Sequence, residues 1–282
     1  MDKLPNFILN NRFLTNVWLG KSIIPNKHIV LHGDGCTSRL DIYNHNTNNT
    51  KCVIVFPGRN ELECYWRQLI DFMKNSPITF VVWHRRGEFD NSICYNYPYI
   101  YNESDIDDVI NYIENYSLFY MLYGLGLYIG GNILLKYIAS KSNLSSFHSV
   151  IAVQPDINIL NKCSENKELQ TYSCEVAKRC VNLNKDLLKK KYSTIFEQEE
   201  QFINSSSNDI CEYYTNLTSD FFNKIQNVSC NTTILDYIQC ESMSPPMYES
   251  ECEKHVNDKV KKLFVDSRAD IFKTLRNIIT NE

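Results

Sequence analysis

The chain alternates short apolar runs with amphipathic stretches. Residues 52–56 (CVIVF), 78–83 and 149–153 are continuous apolar runs of strand length. Between the first two, Leu62, Tyr65, Trp66, Leu69, Ile70 and Met73 recur at helical spacing. Ser104 and Asp107 resemble a capping box, with Ile106, Val109, Ile110 and Ile113 as the apolar helix face behind it. Residues 118–122 predict a further strand. Residues 129–138 predict a helix with Ile133, Leu134, Tyr137 and Ile138 inward. Upstream, residues 28–32 and 39–43 read as β-runs around the turn signal Gly33-Asp34-Gly35. The pattern returns with strands at 232–238 and 259–264 and a closing helix at 269–279. Strands apolar on both faces, alternating with helices, predict an α/β protein with a mostly parallel sheet covered on both sides.

The segment 160–228 has a different character. It is charged and helical in pattern, with basic residues over 185–191 and acidic ones over 197–200. It is expected to be a helical lid or insertion. The chain then divides into an N-terminal arm (1–27), a first core part (28–159), the insertion (160–228) and a C-terminal core part (229–282). Residues 115–135 lack charge and are long enough to span a bilayer. Gly124, Gly126, Gly130 and Gly131 within them argue for strand, turn and helix instead of one membrane helix.

Composition narrows the function classes. The 282 residues carry a net charge of -4, which speaks against a nucleic-acid binder held by excess Lys and Arg. Asn accounts for 32 residues, so Asn-based sequons are read as chance. Eleven cysteines, none in C-x-x-C spacing, suggest buried reduced thiols and no zinc site. The first residues lack an apolar signal region, so a cytoplasmic protein is expected, with room for peripheral membrane contact by the arm. Neither a cofactor nor a metal is expected.

The candidate chemistry lies at 120–137, YMLYGLGLYIGGNILLKY, where a strand meets glycines and then a helix. Gly124-x-Gly126 with Gly130 approximates a dinucleotide-binding fingerprint, with Asp156 after the next strand as its ribose-binding acid. Gly126-Leu127-Tyr128-Ile129-Gly130 matches the frame of a nucleophile elbow, G-x-S-x-G, with Tyr128 in place of Ser. Gly131 follows as a third small residue.

The elbow and following helix resemble those of YheT-type hydrolases, abhydrolase-domain proteins that act on acyl esters. Further pieces resemble the family in order: Asn11-Arg12-Phe13-Leu14-Thr15 in the arm, Asp34-Gly35 with Leu40-Asp41, Phe56-Pro57-Gly58, and Tyr65 with Arg67. His84-Arg85-Arg86-Gly87, the helix opening at Asp105, Pro155-Asp156, Glu212-Tyr213-Tyr214 and residues 225–245 continue the series. The resemblance implies an α/β-hydrolase fold with a helical lid, and a Ser–His–acid triad.

Checked against that triad, the chain has lost most of it. Tyr128 holds the nucleophile position, and a phenol with a pKa of about 10 attacks poorly at neutral pH without activation. Glu241 is the candidate acid. The His position after the last strand falls near Asp270, and no His follows His255. His84, at the end of its strand, is placed at the ligand-binding edge and within possible approach of Tyr128. The amides of Arg59 and Ile129, with Gly58 at the turn, would form the oxyanion hole. The expectation is a pseudo-hydrolase that binds an apolar small molecule or a protein partner. The alternatives are an active ester hydrolase or lipase with a relocated nucleophile or a Tyr128–His84 pair, and a dinucleotide-binding enzyme.

Overall fold

A computed structural model gives the fold. It describes residues 24–46, 48–58, 64–86, 103–116, 119, 121–141, 146–153, 155, 224, 227–237, 258–265 and 268–281. The strands are β1 (Asn26–Leu31), β2 (Thr37–Tyr43), β3 (Lys51–Phe56), β4 (Ile78–His84), β5 (Met121–Leu127), β6 (Ser149–Val153), β7 (Asn231–Tyr237) and β8 (Val260–Val265). The helices are α1 (Cys64–Phe72), α2 (Glu103–Tyr116), α3 (Ile129–Ser140) and α4 (Arg268–Asn281).

The eight strands form one sheet in the order β1-β2-β4-β3-β5-β6-β7-β8. β1 pairs β2, and β2 pairs β4, antiparallel; every pairing from β4 through β8 is parallel. Side chains of the central strands alternate between two cores because the strand period is two residues. Cys52, Ile54 and Phe56 of β3 pack with Ile106, Val109, Ile110 and Ile113 of α2 and with Ile133, Leu134 and Ile138 of α3. Val53 and Val55 pack with Trp66, Leu69 and Ile70 of α1 and with Ile271, Leu275 and Ile279 of α4. The α/β reading with a mostly parallel sheet and helices on both faces is what the structure has.

One strand is displaced from its sequence expectation. The run at 118–122 is corrected to Met121–Leu127, so Gly124 and Gly126 lie inside β5, not in a turn. The reason is packing. Both glycines face α3, and a Cβ on Gly124 would meet the Leu134 methyls at 3.0 and 3.1 Å. A Cβ on Gly126 would overlap the Gly131 backbone. Glycine lets the helix settle directly on the strand. This also removes the dinucleotide fingerprint, whose first two glycines must form the turn after the strand.

The uncharged stretch 115–135 is divided among the end of α2, β5 and the start of α3. Among the described residues, no helix is long and apolar enough to cross a membrane. The arm 1–23, most of the segment 160–228 and residues 238–257 lie outside the described residues.

Candidate functional site

The carboxyl ends of β3, β4 and β5 meet at one edge of the sheet, where open α/β sheets bind their ligands. Tyr128 stands between β5 and α3 with φ 48° and ψ -117°. A bulky residue at positive φ is a steric outlier. Such strain persists only where surrounding structure over-determines it, and costs about 1–3 kcal/mol. The restraints are visible. The Tyr128 N–H donates to the Val153 carbonyl at 3.0 Å, pinning the bend to the end of β6. The Tyr128 carbonyl accepts from the amides of Gly131 at 2.9 Å and Asn132 at 3.2 Å, which begins the helix.

Three glycines allow this bend. A Cβ on Gly130 would overlap the Phe56 carbonyl oxygen and stand 2.6 Å from the Pro57 oxygen. The loop after β3 and the first turn of α3 are thus in backbone contact. Gly131 lies against Ala152 and Pro155 at 3.4 and 3.3 Å from an added Cβ. The amides of Ile129 and Gly130 belong to the helix's first turn, where N–H groups have no partner within the helix. Gly58 follows Pro57 directly after β3, in the loop whose Phe56 and Pro57 backbone contacts Gly130. This strand–bend–helix geometry matches the frame of a nucleophile elbow, and the half-buried Tyr128 phenol stands at its bend. The Tyr128 ring packs against the core shared by α1 and α4.

His84 closes β4 and its hydrogen bond goes to Asp41, with Nε2 2.9 Å from Oδ2. Its ring lies edge-on to Trp66, centroids 6.4 Å apart. Arg39 reaches the other Asp41 oxygen at 2.9 Å. Burial alone would raise the Asp41 pKa, but the His84 hydrogen bond and the charges of His84 and Arg39 outweigh it and hold it below the ordinary carboxylate value. The structure thus joins His84 to Asp41 and not to Tyr128. Asp270 falls in the first turn of α4. Glu241, Arg59 and His255 lie outside the described residues.

A second polar cluster was not singled out from the sequence as a unit. The Arg86 guanidinium, 2% exposed, forks onto the Asp105 carboxylate, with Nε 2.7 Å from Oδ2 and NH2 on Oδ1. Its NH1 reaches Asp34 at 2.7 Å. Buried His32 adds Nδ1 to Asp108 at 2.9 Å and Nε2 to Ser38 at 3.0 Å. Burial opposes ionisation of Asp34, yet the Arg86 hydrogen bond and the Cys36 amide lower its pKa overall. His32, Asp105 and Asp108 bring donor atoms within 4.8 Å of one another. Arg86 already occupies both Asp105 oxygens, so the cluster is built as an ion-pair network and not as an open metal seat. The sequence signal was three separate motifs, Asp34-Gly35, Arg86-Gly87 and the helix opening at Asp105. Only the fold shows that they converge.

The sequence matches no protein-family model, and no curated protein matches it. Solved structures do resemble it in fold. An esterase of Pyrococcus furiosus superposes with a TM-score of 0.60 at 10% identity, over 94% of this chain and 93% of that one. A soluble variant of monoglyceride lipase from Saccharomyces cerevisiae, in complex with a substrate analogue, gives 0.59 at 13% identity over 93% and 96%. An α/β-hydrolase from a Penicillium species gives 0.58 at 17% identity over 91% and 95%. The strand order, the elbow and these likenesses define one class: the chain has the α/β-hydrolase fold. At such identities the likeness establishes the architecture alone.

Proposed function

We propose that this chain is an α/β-hydrolase-fold protein of YheT-type lineage that has lost ester hydrolysis and serves as a binding scaffold. Its ligand would be an apolar small molecule or a protein partner docking over the elbow. The observation that carries this reading is Tyr128 at the elbow's strained backbone position. Two further facts support it. The stretch after β8 where the general base is expected reads Asp266-Ser267-Arg268-Ala269-Asp270, with no histidine among them. The imidazole nearest in topology, His84, spends its hydrogen bond on Asp41. The lineage is supported by Asp34, Arg86 and Asp105, drawn from three of the resembling motifs and joined in one network. The buried thiols Cys36, Cys52 and Cys230, none in a disulfide, favour a reducing, cytoplasmic setting.

The test is incubation of the full chain with a fluorophosphonate probe and with short p-nitrophenyl esters. The expected result is no covalent labelling and no turnover, in the wild-type chain and in Tyr128→Ser alike, because a serine without a base gains no nucleophilic route. Labelling abolished by an elbow substitution would overturn the reading.

A second reading is an active hydrolase with a non-standard nucleophile. The observation favouring it is the strained backbone itself, since strain of this kind clusters at active sites. Ester hydrolysis that disappears in Tyr128→Phe would establish it in place of the scaffold.

A further inference from the structure

The opposite end of the sheet carries a different feature. β1 is an edge strand, paired only on its inner side with β2. Its even-numbered positions face α2: Val30 is buried, and the His28 ring packs on Tyr112 and Tyr116. Its odd-numbered positions, Lys27, Ile29 and Leu31, are exposed. The described residues expose four large apolar side chains; two lie on β1, Ile29 at 55% and Leu31 at 69%, and Ile24 at 89% lies two residues before it. Among the described residues, nothing hydrogen-bonds the outer backbone of this strand.

Protected sheet edges carry inward charges, bulges or prolines along the strand. Of the devices that protect sheet edges, β1 has one exposed lysine, Lys27, with Pro25 just before the strand, and neither a bulge nor an inward charge. We propose that β1 is the contact through which a second copy of this chain binds, by antiparallel edge-to-edge pairing about a two-fold axis. Such an axis normal to the sheet keeps each copy's odd-numbered residues on the same side. Passing it through Ile29 sets Ile29 against the partner's Ile29, and Leu31 against the partner's Lys27 at each end. The apolar groups then meet as cross-strand neighbours, the lysine stem covers leucine, and no like charges stand opposite. A six-residue strand is thus self-complementary, as an isologous interface requires. The interface is small, so the association belongs to the weak class.

Sedimentation velocity on the full chain tests this across about 1 to 100 µM, the range in which a small interface is expected to titrate. The expected result is a mass rising from 33.0 kDa toward twice that value. Ile29→Lys with Leu31→Lys, both at exposed positions, sets lysines opposite one another and is expected to weaken association by about tenfold or more. On the unaltered chain, amide exchange within β1 should slow as concentration rises, which guards against a variant that fails to fold. A constant monomer mass, or a dimer that persists in the folded double variant, would overturn the proposal.

Discussion

Gly130→Ala probes the elbow most directly. The added methyl would overlap the carbonyl oxygen of Phe56 and stand 2.6 Å from both the Phe56 carbonyl carbon and the Pro57 oxygen. All three are backbone atoms, so no rotamer change relieves the clash; β3 and α3 must part. Overpacking of a close-packed site costs about 1–3 kcal/mol, and a rigid neighbour puts this case at the top of that range. Alanine in the first helical turn returns up to about 1 kcal/mol through propensity and chain entropy. The net expectation is a loss of about 2 kcal/mol, or roughly 4 °C in melting temperature for a chain of this size. Gly33→Ala is the control, because an added Cβ there meets nothing within 4 Å. It should fall within about 0.5 kcal/mol of wild type. Urea unfolding of the three proteins, with a common m-value, gives the comparison. If Gly130→Ala is as silent as Gly33→Ala, the elbow does not close against the β3 loop, and the placement of Tyr128 loses its support.

Two other outcomes follow from the ion pairs. Arg86→Met leaves the buried Asp105 carboxylate uncompensated and should cost about 3–5 kcal/mol, whereas Arg86→Met with Asp105→Leu should recover much of that loss in the same urea measurement. Asp41 has a folded pKa lowered beneath its unfolded value, so its stabilisation is complete above the ordinary carboxylate pKa and is lost as pH falls through the lower folded value. Asp41→Asn should therefore flatten the acid limb of a stability-versus-pH curve below about pH 4, and an unchanged limb would remove Asp41 from the His84–Arg39 cluster.

The core strands were legible because β3, β4 and β6 are buried on both faces, and continuous apolar runs have few other uses. The faces of α1 and α2 were legible for a related reason: Trp66, Leu69, Ile70 and the Ile106–Ile113 set follow helical spacing, and all are buried. β5 was shifted because glycine signals a turn in sequence, while here it opens a strand face to a helix. The small residues at 126, 130 and 131 left two readings open, a dinucleotide fingerprint and an elbow, and the placement of Gly124 and Gly126 inside β5 removes the first. The Asp41–His84 pair was not legible, because it depends on register: Asp41 lies opposite Val82, and His84 opposite Arg39, across β2 and β4. Nothing in one sequence sets that pairing. The same holds for Arg86, whose partners lie 52 and 19 residues away.

The strain at Tyr128 bears on both functional readings, and its source decides how much weight it carries. A catalytic serine at an elbow is held by the bend so that its oxygen projects. Here the backbone supplies its own restraints on the bend, beside the packing of the Tyr128 ring on the α1 and α4 core. They are the Val153 carbonyl, the Gly131 and Asn132 amides, and the contact of Gly126 and Gly130 with α3 and the β3 loop. These same contacts dock α3 onto β5 and join the two sides of the sheet's centre. Relaxing the bend would therefore require repacking the middle of the fold, at a cost well above the roughly 1–3 kcal/mol stored in one strained residue. An elbow kept by packing would persist in a chain that had lost its nucleophile, as the scaffold proposal requires. The strained phenol is accordingly compatible with the scaffold reading as well as the active one, and ester turnover, not strain, separates the two.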